Sequence, residues 1–80
     1  MKILNEPIDM VAIFESATGK IRPFKFKYND MGIKIQKITK VYEEKFAGNR
    51  RIVFVCIHNN KDIYEIKYEI ERLKWYLFKK

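Results

Sequence analysis

The sequence predicts an all-β domain of about six antiparallel strands in meander order, curled into a small, partly open barrel. Two observations carry this. Apolar and aromatic residues alternate with charged ones over long stretches, as in FKFKY at residues 24–28 and YEIKYEI at 64–70, and a period of two marks strands with one buried face. Glycine and asparagine fall in short polar breaks between those runs, in SATGK, NDMG, AGN and HNNKD, where turns need residues that tolerate positive φ.

The four breaks divide the chain into five segments. Ile8 to Glu15 is short and apolar-rich. The next run places Phe24, Phe26 and Tyr28 on one face and Lys25 and Lys27 on the other, a half-buried strand. Pro23 has no N–H to give a ladder, which predicts an edge or a bulge there. The third segment opens with Ile33 and Ile35 in phase, then slips to Ile38, Val41 and Tyr42, as one or two bulges bending a long strand would cause. Ile52 to Ile57 is apolar on both faces and predicts the most buried strand.

The last segment, 63–79, admits two readings. Tyr64, Ile66, Tyr68 and Ile70 alternate with Glu65, Lys67, Glu69 and Glu71, followed by a second strand from about Lys74 to Lys79. Ile63, Ile66, Ile70, Leu73 and Leu77 also fit a C-terminal helix packed on the sheet, with Asp62 and Glu65 as a capping box. The absence of alanine and the density of isoleucine and tyrosine favour the hairpin, although ERLK lacks the Gly, Asn or Pro of a good turn.

Composition narrows the function classes. Eighty residues support a single domain, 1–80. A 48% hydrophobic and 15% aromatic content excludes disorder. No apolar run reaches the ~20 residues of a membrane-spanning helix, and the apolar part of MKILNEPIDM is too short for a secretion signal. The lone Cys56 rules out an intramolecular disulfide and any cysteine-rich zinc site. A cytoplasmic protein without membrane partner, metal, cofactor or small-molecule substrate is expected.

The strings EPI, GKIRPFKFKY, AGN, YEIKYEI and KWYLFKK, spread over nearly the whole chain, resemble a group of small uncharacterised bacterial proteins. More loosely, the basic-aromatic strand, the long bent strand and the terminal W-x-L resemble a domain of unknown function appended to some error-prone DNA polymerases. The resemblance implies an all-β meander and brings no catalytic residue with it.

Several clusters invite a chemical reading. Cys56 and His58 lie two apart on a strand, with Asp62 across a turn, as an imidazole-activated thiol would need; a core cysteine beside a turn histidine is the simpler expectation. Glu65, Glu69 and Glu71 share a face, but Lys67 between them predicts ionised carboxylates on a solvated surface rather than an acid-base pair. Tyr64, Tyr68 and Trp75 fall on the apolar face. Tyr76 and Phe78 fall on the other, beside Lys74 and Lys80, as candidates for stacking on bases.

Charge is the strongest signal. The net charge is +7, and residues 20–42 alone carry +6. Arg22, Lys25, Lys27, Lys34 and Lys37 gather on the solvent face of one hairpin, a pattern suited to a phosphate backbone. The expectation is therefore a non-enzymatic module that binds nucleic acid through the hairpin spanning residues 20–40. The alternative is a protein-interaction or homodimerising module that uses an exposed strand edge, with lysines guarding that edge. Lysine outnumbers arginine 13 to 4, which favours the alternative, since base readers lean on arginine.

Overall fold

Alternation and turn chemistry resolve into seven strands, with no helix, in the computed structural model, which describes residues 2–80: β1 (Ile3–Phe14), β2 (Ile21–Tyr28), β3 (Met31–Lys34), β4 (Lys37–Phe46), β5 (Asn49–His58), β6 (Asp62–Glu69) and β7 (Lys74–Lys79). They form one antiparallel sheet in the order β3-β2-β1-β7-β6-β5-β4, curled into a half-barrel. Consecutive strands pair throughout, except that β3 and β4 do not; the ends of the chain close up instead through β1 and β7. The extra strand arises because the bent third segment splits in two at Ile35 and Gln36. Residues 63–79 are a hairpin, and the helical reading is discarded.

Two strands turn the corners. β1 pairs with β7 over Ile3–Ile8 and with β2 over Asp9–Phe14. Its first five residues were outside the predicted strand because Asn5, at φ 51°, and Pro7 break their alternation; pairing with β7 extends them nonetheless. At the other corner the chain leaves β2 after Lys34 and joins β5 at Lys37. There Ile35 N–H donates to Phe24 O at 2.9 Å, and Gln36 N–H to Ile57 O at 3.1 Å. A register shift between Ile38 and Lys40 then bends β4 over β5, with Thr39 Oγ1 donating to Val55 O.

Tight turns set the register. Asn29–Asp30 (φ 50° and 61°) and Ala47–Gly48 (φ 51° and 84°) each join directly paired residues, the two-residue hairpin loop with both φ positive. Asn59 and Asn60 supply positive φ in the next turn. Gly32, expected in a turn, lies within β3 because the Asn-Asp pair already makes the reversal. In the last turn Leu73 takes φ 58° with its side chain 74% exposed, so it lies outside the core that its spacing suggested.

The core is small. Phe26, Ile33 and Ile35 from β2, β3 and the corner face Phe54, Cys56, Tyr64, Ile66, Tyr68 and Leu77. The two halves meet edge to face at Phe26 and Tyr64, with ring centroids 5.5 Å apart, and Trp75 packs against both Phe54 and Tyr68. The open side of the half-barrel is a cleft of about 690 Å³ between Ile21 and the Ile38–Val41 stretch, with Phe54 beneath.

The most buried strand is β6 rather than the apolar β5, because β6 also buries Lys67 and Glu69 on its outer face. That face is not the solvated surface its charges suggested. Glu44 Oε2, on β4, accepts from Lys67 Nζ at 2.9 Å and from Arg51 Nη2 at 2.5 Å, and Lys67 Nζ also lies 3.5 Å from the centre of the Phe78 ring. Long side chains reach across two strands and cover the sheet with their stems. Burial on its own pushes the Glu44 carboxyl up, but the hydrogen bond and charge of Lys67, together with Arg51, outweigh it and hold the group below the usual carboxylate range.

Two outcomes follow from this packing. Glu44→Gln leaves Lys67 buried without a counter-charge and should lower stability by about 1–3 kcal/mol at neutral pH, below the ~3–5 kcal/mol of a fully buried pair because Glu44 keeps some exposure. Since the folded pKa is depressed, this contribution is present above the unfolded carboxylate pKa and is lost as pH falls through the folded value; denaturant melts of wild type and variant should converge in acid. Leu73→Gly removes a side chain from a left-handed backbone position at little cost in packing and should add about 0.5–1 kcal/mol, whereas Arg72→Gly, whose φ is not positive, should add nothing.

Candidate nucleic-acid interface

The site is built on the β2–β3 hairpin. Strand alternation turns Phe26 inward, where it is 2% exposed, and leaves Lys25, Lys27 and Lys34 in solvent. Lys25 sits directly opposite Lys34, and Lys27 opposite Gly32. The exposed Lys25 side chain crosses Gly32, its Cε 2.7 Å from where a Cβ would stand, a contact that the flexible end of the lysine could relieve by moving. Two like charges facing each other across a ladder destabilise it, and although Asp9 of β1 stands opposite Lys27, no carboxylate among the described residues comes within ion-pairing distance of Lys25, Lys27 or Lys34. The ion pairs within 4.0 Å among the described residues are Arg50–Glu71, Arg51–Glu44 and Lys67–Glu44. Lys20, Arg22, Lys25, Lys27, Lys34, Lys37 and Lys40 all lack one.

A bulge reshapes the start of the hairpin. Val11 pairs with Lys25 and Ala12 with Pro23, so Phe24 is the additional residue. The proline sits at a bulge, as one of its two predicted placements had it, and is fully buried. Phe24 is the correction: instead of sharing the inner face with Phe26 and Tyr28, it is 41% exposed. One inserted residue puts two successive side chains, Phe24 and Lys25, on the outside. The exposed ring lies in a groove of about 500 Å³ together with Arg22, Lys34, Gln36 and Lys37, and Lys34 Nζ stands 5.5 Å from its centre.

Hydrogen bonds from the β5–β6 turn fix this corner. His58 Nδ1 lies 2.8 Å from Lys34 O, and because a carbonyl can only accept, Nδ1 carries the proton. Asn60 N–H donates to Gln36 Oε1 at 3.0 Å. Together these hold the backbone between Lys34 and Lys37, and hence the spacing of the two cations.

The structure therefore brings Arg22, Lys25, Lys27, Lys34 and Lys37 onto one hairpin and its corner. Tyr76 and Phe78 lie elsewhere, on β7, which β1 separates from β2. Both are half-buried, and cations lie over the Phe78 ring, Lys67 at 3.5 Å and Lys79 at 5.7 Å. The aromatic that does stand among the hairpin cations is Phe24. Its signal was present in the sequence, since a bulge at Pro23 implies a change of face at the next residue.

The remaining clusters separate. Cys56 is fully buried, and burial pushes its thiol up to about 12, so the thiolate is absent at neutral pH. Asp62 pairs with His58 in the strand register without a side-chain ion pair. Glu71 leaves the acidic row to bind the Arg50 backbone N–H and Nε, each at 3.2 Å. Cys56 should accordingly resist iodoacetamide at neutral pH in the folded protein and react only on denaturation. Cys56→Ala should cost about 1 kcal/mol, as for removal of one core group, and leave any binding by the hairpin unchanged. Comparison with protein-family models, with curated proteins and with solved structures found no match to this chain.

Proposed function

We propose that this protein is a non-enzymatic binding module that holds nucleic acid by its phosphate backbone along the hairpin from Lys20 to Lys40. One observation carries the reading: seven cations stand together in this segment with no carboxylate within ion-pairing distance among the described residues. Outside this segment Arg50, Arg51 and Lys67 are paired with carboxylates, the last two while largely buried, and the other cations are spread along the chain rather than gathered on one hairpin. An uncompensated basic surface costs self-repulsion and gains through the counterions it releases on meeting a polyanion.

Edge guarding accounts for only part of this charge. β3 and β4 are the edges of the sheet, and Lys34, Lys37 and Lys40 lie on them, where lysine discourages strand addition. Lys25 and Lys27 lie on β2, between β1 and β3, where there is no edge to guard. Their presence favours a polyanion over a self-association guard.

Lysine contacts to phosphate predict weak sequence preference and a steep dependence on salt. With four to six contacts, log K against log salt should have a slope of about −3 to −5, at roughly −0.7 per contact for single strands and −0.9 for duplex. Changing Lys25, Lys27 and Lys34 together to Gln should make the slope shallower by about 2–3 and leave the melting temperature level or slightly raised, since it removes a like-charge pair. Glu65→Gln, on β6, should not weaken binding. Absence of salt-sensitive affinity, together with self-association of the triple variant, would instead make the hairpin an edge guard and the homodimer the functional form.

A further inference from the structure

We infer that the nucleic acid bound here is single-stranded, with a base stacked on Phe24 and the phosphates on either side of it held by Arg22, Lys34 and Lys37. The inference rests on the reading of the basic hairpin as a polyanion site and adds to it the form of the ligand. The bulge is what carries it. Without the additional residue, alternation would have turned Phe24 to the inner face; with it, the ring emerges 41% exposed beside three cations. The fold does not need an aromatic at that point, because the neighbouring Pro23 fills the interior. Bulges commonly re-aim a side chain at a functional site.

The chemistry of the groove fits one ligand class. An aromatic ring offers a π-face that any base can stack on, and lysine or arginine beside it takes up the flanking phosphates. Lys34 Nζ now stands over the ring at 5.5 Å, and its exposed, flexible stem can move from the ring to a phosphate as a base arrives. In a duplex the base faces are already stacked on one another, so the ring has nothing to bind and only the cations act. Single strands therefore gain an interaction that duplexes lack.

The test separates ring from charge. Phe24→Ala should weaken binding of an oligothymidine of about 20 nucleotides by roughly 5- to 100-fold, the range for losing one stacked base, while changing duplex affinity by less than about twofold and leaving the salt slope in place. Phe24→Trp should retain single-strand affinity, and its added fluorescence should be quenched by the oligothymidine and not by duplex. The second variant keeps the ring and decides the matter if the alanine variant proves unstable in a thermal melt. Equal losses for both ligands, no loss for either, or an unquenched Phe24→Trp variant would overturn the stacking site while leaving the cationic surface standing. Failure of the wild type to bind either ligand would overturn both.

Discussion

Two stretches of this chain pair with one neighbour over part of their length and with a different neighbour over the rest, and the other features depend on that exchange. β1 passes from β7 to β2, and the 31–46 segment passes from β2 to β5. Each exchange bends the sheet and brings its two halves face to face. A flat seven-stranded sheet of 80 residues would leave one apolar face in water; curled, the same residues enclose Phe26, Tyr64, Ile66 and Leu77. Closure is incomplete because β3 and β4 are joined by the chain without being paired, and the open side is the cleft above Phe54.

Corners require irregular backbone, and irregular backbone has to be satisfied. At the 35–36 corner, β2 accepts from Ile35, β5 accepts from Gln36, and the His58 and Asn60 groups take up Lys34 O and Gln36 Oε1. The same bonds hold Lys34 and Lys37 in place. On the β1–β2 side the bulge at Phe24 adds a residue to β2 relative to β1, which bends the strand locally and turns an aromatic ring outward. Structural devices needed to bend the sheet thus create a groove in which an exposed ring stands beside Arg22, Lys34 and Lys37.

Electrostatics divide the molecule. On the outer face of β4 to β6, opposite charges are drawn together and partly buried under their own stems, with Glu44 shared by Lys67 and Arg51. Across the sheet, on β2, β3 and the start of β4, cations stand without partners. Both arrangements come from a similar mixture of lysine and aromatic residues. What differs is the supply of carboxylates: residues 20–42 contain Asp30 alone, placed in a turn.

Legible in the residues alone were the all-β class, a preference for a hairpin over a helix at 63–79, the turn at Asn59–Asn60, the bulge at Pro23 as one of two options, and the concentration of charge on one hairpin. These are local properties: side-chain period, backbone tolerance and charge counting act within a few residues of one another. That Ile3–Pro7 is a strand emerges from long-range pairing, since its partner β7 lies at the far end of the chain. The tertiary structure also decided that Glu69 and Lys67 are buried, because Glu44 and Arg51 arrive from β4 and β5, and that Leu73 rather than Arg72 takes the left-handed position. The outward turn of Phe24 belongs to both levels. The proline announced an irregularity, but which residue it would expel depended on the register with β1, and register is fixed by long-range pairing and the packing of one face.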